Sequence, residues 1–221
     1  MVQLPLSSLT PSASDAPTAE PPGVSDIVDF WLGDTSETGW PQDPAFSKRW
    51  WLSSKALDAD IASRFGARVE EAVDGGLSCW EVKPLARLAL VILLDQFTRN
   101  AFRGTARAFA GDLRAQRLTV DALDRALQVE LPLAGQLFLA IPLMHAEDLG
   151  LQDRSVAYFA ALVESAPTAQ RQVLGQSADS AREHRDIVAR FGRFPYRNRA
   201  LGRVDTPEEA AFLQSGPRFG Q

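Results

Sequence analysis

The stretch from Leu85 to Phe97 constrains this chain most, because Leu88, Ala89, Val91, Ile92, Leu93 and Leu94 leave it almost no face for water. Such a segment has to lie inside a core, with other elements packed around it. Periodicity alone would also allow a buried strand. Its length, its alanines and Pro84 at the start favour a helix, since proline at the first helical position gives up only an N–H that has no partner there. The fold therefore needs enough further helices to enclose a central one.

The rest of the sequence supplies them. Ser25 is placed to cap a short helix bearing Ile27, Val28, Phe30, Trp31 and Leu32, stopped by Gly33. Asp43-Pro44 opens a second short helix that presents Phe46, Trp50 and Trp51, and a longer one from about Leu57 to Asp74 ends at Gly75-Gly76. Thr105 is expected to cap a helix through about Leu127, followed by one from Leu131 to Leu139 that Pro142 interrupts. Helices from about Gln152 to Ser165 and from Thr168 to Phe191 are separated by Pro167. The last start is the clearest: Thr206-Pro207-Glu208-Glu209 combines an N-cap, a first-turn proline and the glutamate of a capping box. No stretch shows convincing strand alternation. The expected architecture is all-α, with about eight or nine helices packed as antiparallel pairs in one domain over residues 23–221. A chain of 221 residues, 45% of them hydrophobic, has enough apolar side chains for one sizeable core. Residues 1–22, rich in Pro, Ser, Ala and Thr, bury too little surface to offset chain entropy and are expected to form a disordered tail.

Charge and cysteine content narrow the classes of function. A net charge of −5 and an isoelectric point near 5.1 argue against nucleic acid or an anionic membrane surface as partner, so any anion site must be local. The 23 basic residues are 20 Arg and only 3 Lys, a bias that suits bidentate oxyanion recognition but also arises from coding and surface usage. Cys79 is the single cysteine, so no intrachain disulfide forms, and neither a signal-length nor a membrane-length apolar run occurs. A cytoplasmic location is expected.

Three polar clusters interrupt the amphipathic pattern. Asp95 and Arg99 are four apart with the acid first, the favourable order for an ion pair at the end of the buried helix, and Asn100 follows them. Their readings are a structural brace or a ligand site. Met144-His145-Ala146-Glu147-Asp148 puts a histidine beside two acids just past Pro142, which suits a general acid/base or a metal ligand. The second is disfavoured, since known zinc signatures repeat histidines or cysteines at fixed spacing; no metal site and no cofactor are assigned. His184 lies on the inward stripe of the long helix with Ser177, Ala181 and Val188, either as a core histidine or opposite His145 across a pocket. The third cluster, residues 190–203, contains Arg190, Arg193, Arg197, Arg199 and Arg203 with Tyr196 and Asn198, broken by Gly192, Pro195 and Gly202. It suits phosphate or carboxylate recognition, or equally the capping of helix ends and pairing with the excess acids. Phe194 and Tyr196 among the arginines also permit base stacking, against which the acidic whole argues.

The same clusters carry a resemblance. Leu93-Leu94-Asp95-Gln96-Phe97, Arg99-Asn100 through Arg103-Gly104, His145-Ala146-Glu147-Asp148-Leu149 and Arg190-Phe191-Gly192-Arg193-Phe194-Pro195 through Leu201-Gly202-Arg203, with Asp29-Phe30-Trp31, resemble the bacterial family called domain of unknown function 924. The resemblance spans roughly Ser25 to Phe219 and implies a tetratricopeptide-like helical fold without an established activity. Thr98 stands where the family pattern usually has proline, Ala146 where it has serine and Tyr196 where it has histidine.

Three functions follow as expectations. The first is a pocket between helices that binds a small anionic metabolite, with Arg99, Arg193 and Arg197 as oxyanion partners, and Asp95, Asn100, Asn198, Glu147, Asp148, Tyr196, Arg203, His145 and His184 lining or orienting it. The second is a hydrolase or transferase using His145 or His184 as general base in that pocket. The third is a helical scaffold for a peptide or protein, gripped by Trp40, Trp50, Trp51 and Trp80 if these are exposed.

Overall fold

The computed structural model describes residues 19–52 and 54–217, so the tail expected over residues 1–22 lies, up to residue 18, outside the described residues. Ten α-helical segments and no strand occur among the described residues: α1 Val24–Leu32, α2 Pro44–Arg49, α3 Lys55–Val73, α4 Pro84–Val91, α5 Thr98–Ala101, α6 Asp112–Asp124, α7 Leu133–Met144, α8 Leu149–Ser165, α9 Thr168–Phe191 and α10 Pro207–Ser215. A π turn, Ile92–Phe97, joins α4 to α5 without a break, so the ten segments make nine rods.

The apolar stretch is the central rod. Ala86 through Asp95 are all buried, and α1, α3, α6 and α7 contact this rod along its length. Each fully buried leucine or isoleucine there stabilises the fold by about 1.5–3 kcal/mol. Aromatic rings close the side formed by α1, α3 and α7: Trp31 meets Phe97 and Phe138 edge-on, both at 5.5 Å between centroids, and Trp50 meets Phe138 at 4.8 Å. Trp50 Nε1 also donates to the Trp31 carbonyl at 2.8 Å, which fixes the α2 end against α1. The helices α7, α8 and α9 then follow one another as packed neighbours through short connections, which makes successive ones antiparallel.

Several starts follow their sequence signals. Asp43 caps α2 by accepting from Ala45 N–H, Ser54 caps α3 by accepting from Leu57 N–H, and Thr206 and Glu209 form the complete capping box. Others do not. Helix α1 begins one residue before Ser25, after Gly23 at φ 88°, with no side-chain cap. Thr105 precedes only a 3-10 turn, Ala106–Phe109, and its hydroxyl donates back to the Phe102 carbonyl instead. The following helix waits until Asp112 because Gly111 packs against the π turn so closely that a Cβ there would sit 2.3 Å from the Leu94 carbonyl oxygen. Pro142 does not end α7, which runs two residues further to Met144; near the end of a helix, the bond that proline removes matters least.

The π turn is the feature with no sequence signal. Thr98 N–H bonds the Leu93 carbonyl five residues back, and the carbonyl of Leu94, displaced from the ordinary ladder, accepts from Thr98 Oγ1 at 2.8 Å. A hydroxyl at this position therefore satisfies a buried carbonyl that the widened turn leaves over. Such turns re-aim side chains inside helices, and here the side chain that the turn carries is Asp95.

Candidate functional site

Four distant stretches meet at Asp95. Arg99 Nη1 lies 3.2 Å from Asp95 Oδ1 and donates to the Asp95 carbonyl at 2.7 Å. Its guanidinium also grips Asp112, the first residue of α6, in bidentate fashion at 2.9 and 3.0 Å. Arg197, in the 3-10 turn after α9, donates to Asp112 Oδ2, the oxygen that also accepts from Arg99 Nη2, at 3.2 Å and to the His145 carbonyl at 3.0 Å. Phe109 and Phe194 stack on the Arg197 guanidinium at 4.8 and 4.5 Å. All four charged side chains are buried, and two acids balance two bases. Charges taken out of water persist only when paired and hydrogen-bonded in this way.

The histidine completes the cluster. His145 caps the end of α7, and its Nδ1 lies 2.8 and 3.0 Å from the two oxygens of Asp95, while Gln96 Nε2 donates to the same carboxylate at 2.6 Å. Burial opposes ionisation of Asp95, but Arg99, His145 and the bonds from His145 and Gln96 outweigh it and hold the carboxyl well below the usual range. Burial likewise pushes His145 down, with Arg99 and Arg197 adding to the effect against the pull of Asp95. The ring is therefore neutral at pH 7 with its proton on Nδ1, where the carboxylate accepts it. Nε2 then carries the lone pair. It has no hydrogen-bond partner among the described residues, and the ring lines a cleft. His184 approaches His145 at 6.0 Å between ring centroids, its Nδ1 directed at the Ser180 carbonyl at 2.8 Å, and burial lowers its pKa to about 3.

That cleft has a volume of about 290 Å³. Trp31, Trp50, Trp51 and Leu52 form one wall, Ile141, Met144, His145 and His184 another, and Arg49, Gln96, Arg99, Asn100 and Arg103 bring the polar groups. Most of its cations are already neutralised. Arg99 belongs to the buried cluster, and Arg103 holds Asp58 at 2.8 and 2.9 Å while Asn100 Nδ2 donates to the same carboxylate at 2.8 Å. Arg49 differs: no described carboxylate lies within ion-pair distance of it, and its Nε is buried without a hydrogen bond. The rings of Phe46 and Phe30, 4.4 and 4.8 Å from its guanidinium carbon, hold it in place.

The other expected site residues lie elsewhere. Arg193 and Arg197 are not among the residues that line the cleft: Arg197 is locked to Asp112, and Arg193 pairs with Glu209 at 2.6 and 2.8 Å. Glu147 accepts from Arg203 at 2.6 and 2.8 Å and from Phe194 N–H at 2.8 Å. Asp148 caps α8 through Leu151 N–H, and Asn198 donates to Asp205 at 2.7 Å. The Glu147 contacts to Arg203 and Phe194, with Arg197 on Asp112, staple the segment after Gly192, at φ 69°, onto the helical body, while Arg193–Glu209 and Asn198–Asp205 close that segment on itself. Tyr196 faces a different and larger depression of about 480 Å³, beside Phe109, Pro195 and Arg199, and burial raises its pKa. Sequence reasoning missed Arg49, Gln96 and Asp112. Arg49 stood between two aromatic words, Phe46 and Trp50-Trp51, without a pattern of its own; Asp112 carried no signal at all.

Comparison with known proteins gives a family but no activity. A family model described as a bacterial protein of unknown function (DUF924) matches residues 27–217. A solved structure of a protein of unknown function from Agrobacterium tumefaciens is similar at 35% identity and a TM-score of 0.71, over 87% of this chain and 97% of that one. No curated protein matches.

Proposed function

The chain belongs to the bacterial family of unknown function DUF924, and we propose that it binds a small anionic ligand in the cleft between α1, α2, the central rod, α7 and α9. Arg49 carries this reading. A cation whose desolvation already lowers its pKa against the pull of Asp60, held over aromatic rings in the lining of a concave site and with no carboxylate among the described residues within ion-pair distance, gains most from an anion that enters. Trp50 and Trp51 supply the apolar contact for the rest of such a molecule, and the amides of Gln96 and Asn100 supply polar contacts.

The test is a thermal-shift and calorimetric comparison of small carboxylates, phosphate and sulfate on the full chain. A ligand at a hundred times its dissociation constant stabilises the native state by about 2.7 kcal/mol. Arg49→Gln should remove the shift; an equal shift in that variant would place the anion elsewhere.

A second reading, catalysis with His145 as general base in the same cleft, is favoured by the Asp95–His145 geometry. The scaffold reading has less support. Trp40, Trp50 and Trp80 are buried, and of the four tryptophans it needs only Trp51 is exposed. No helix among the described residues is long and apolar enough to cross a membrane.

A further inference from the structure

Resting on the anion-binding reading, we infer that the cleft is a hydrolytic site for small carboxylic esters that carry a second, anionic group, with His145 as the general base and Asp95 as its positioning residue. Three observations lead to this reaction class.

The first is the orientation of the imidazole. Asp95 fixes Nδ1 from a buried position, and is itself fixed by Arg99 and by Gln96, so the ring cannot turn without breaking the buried ion cluster. Nε2 faces the cleft as an acceptor. An acceptor oriented by a buried carboxylate and open to a cavity is what general-base catalysis needs from geometry.

The second is the nature of the nucleophile. No Ser, Thr or Cys lines the cleft among the described residues, and the step is therefore written with water as the attacking group. In the step, Nε2 takes a proton from water as the water oxygen bonds to the ester carbonyl carbon, and the carbonyl electron pair moves onto its oxygen. On collapse of the tetrahedral intermediate the bond from carbon to the alcohol oxygen breaks, and the proton on Nε2 passes to that oxygen. Acid and alcohol leave, the imidazole is neutral again, and nothing is oxidised or reduced. Asn100 lines the same cleft, and with one Nδ2 hydrogen given to Asp58 its second remains to donate to the carbonyl oxygen as charge develops.

The third is charge. The buried acids and bases cancel, and Arg103 is matched by Asp58, which leaves Arg49 as the cation that an incoming group can neutralise. One such charge suits a carboxylate. A phosphate monoester, close to doubly charged at pH 7, would leave a charge unmatched in a site where unmatched charges are costly.

The experiment uses the full chain and the mono-4-nitrophenyl ester of adipic acid, with 4-nitrophenyl hexanoate as the neutral analogue and 4-nitrophenyl phosphate as the alternative chemistry; release of 4-nitrophenolate above the buffer rate is followed. Turnover of the adipate ester with kcat/KM about tenfold or more above the hexanoate is expected. Arg49→Gln should act mainly on KM, and His145→Ala mainly on kcat, by about a hundredfold or more as general bases typically contribute. Added imidazole should restore part of the rate to His145→Ala, an effect that a merely structural role would not produce. His145→Gln, which keeps a donor for Asp95, guards against loss of the fold and should be equally slow without responding to imidazole. The rate should rise with pH with a midpoint below the ordinary histidine value of 6.5, since burial and the cations Arg99 and Arg197 outweigh the pull of Asp95 on the ring, with His184 beside it.

Absence of ester hydrolysis, hydrolysis of the phosphate ester alone, or full turnover in folded His145→Ala overturns the proposal. Calorimetry with adipate on the same samples separates the two levels. Adipate bound without turnover overturns only the hydrolysis; no adipate bound and no turnover removes the carboxylate site as well.

Discussion

Two arginine-rich parts of this molecule look alike as words and behave differently as structure. Behind the cleft wall, Arg99 and Arg197 share Asp112 in a buried four-charge cluster whose members come from the central rod, α6 and the loop after α9. In the clamp, Arg193 and Arg203 hold Glu209 and Glu147 at the partly exposed edge where residues 193–209 return to the body. The first cluster orients a histidine toward a cavity; the second fastens a segment. An arginine's role is set by where its carboxylate partner sits, and by how much water reaches the pair.

The largest expected effect sharpens that contrast. Asp112→Ala leaves Arg99 and Arg197 buried without their shared partner and should lower stability by about 3–5 kcal/mol, read as the urea midpoint. Arg203→Ala, at the side of Glu147 that remains partly wet, should cost clearly less. Equal losses would mean that the two regions differ in position but not in kind.

Gly111→Ala comes next. Its new Cβ would meet the Leu94 carbonyl at 2.3 Å, so the start of α6 has to move, carrying Asp112 away from both arginines. A loss of about 1–3 kcal/mol is expected for forced overpacking, together with a shift in the His145 ring resonances if the cleft cluster is coupled to this contact. A stability loss without that shift would uncouple the glycine from the site.

Acid should separate the regions by pH. His145 and His184 are held below 6.5 in the fold, His184 at about 3, so the unfolded chain binds their protons first and stability falls as pH drops from about 6.5 toward 3. Glu147 and Glu209 are held low by Arg203 and Arg193, Glu209 at about 2, so the clamp loses stability only below about pH 4.5. Between pH 6.5 and 5 a loss of about 1–2 kcal/mol is therefore expected from the histidine side. His184→Gln should flatten that interval in urea titrations and leave the steeper fall below pH 4.5.

The smallest effect on stability is expected at Arg49. With no ion pair among the described residues to lose, Arg49→Gln forfeits stacking on Phe30 and Phe46 worth about 0.5–1 kcal/mol, which a melting curve resolves. A larger loss would make Arg49 a brace like Arg99 and leave the cleft without its available cation.

How much of this was legible in the chain depends on range. The buried rod, the two glycines after α3, the Asp43 cap and the Thr206–Glu209 box follow from neighbours within a few residues, where propensity and capping act. The Asp95–Arg99 pair was legible for the same reason, because a four-residue spacing places both on one face. The 3-10 turn at Ala106–Phe109 displaced an expected helix start because Gly111 had to approach a backbone seventeen residues earlier in the chain, and no local rule contains that contact. The π turn escaped for a related reason: the Leu94 carbonyl it leaves over is satisfied by Thr98 Oγ1, at the position where the resembled pattern usually has proline.

The sequence by itself determined an all-α chain built around one apolar helix, with its caps, its stops and three polar words, since these depend on period, backbone dihedrals and short-range hydrogen bonds. Only the tertiary structure decided which words meet. It set His145 against Asp95, gave Asp112 to both Arg99 and Arg197, turned Arg193 and Arg203 into fasteners and left Arg49 facing the cleft. Charge pairing of this kind joins residues as many as 85 positions apart, and its sign and strength depend on burial that no single segment can specify.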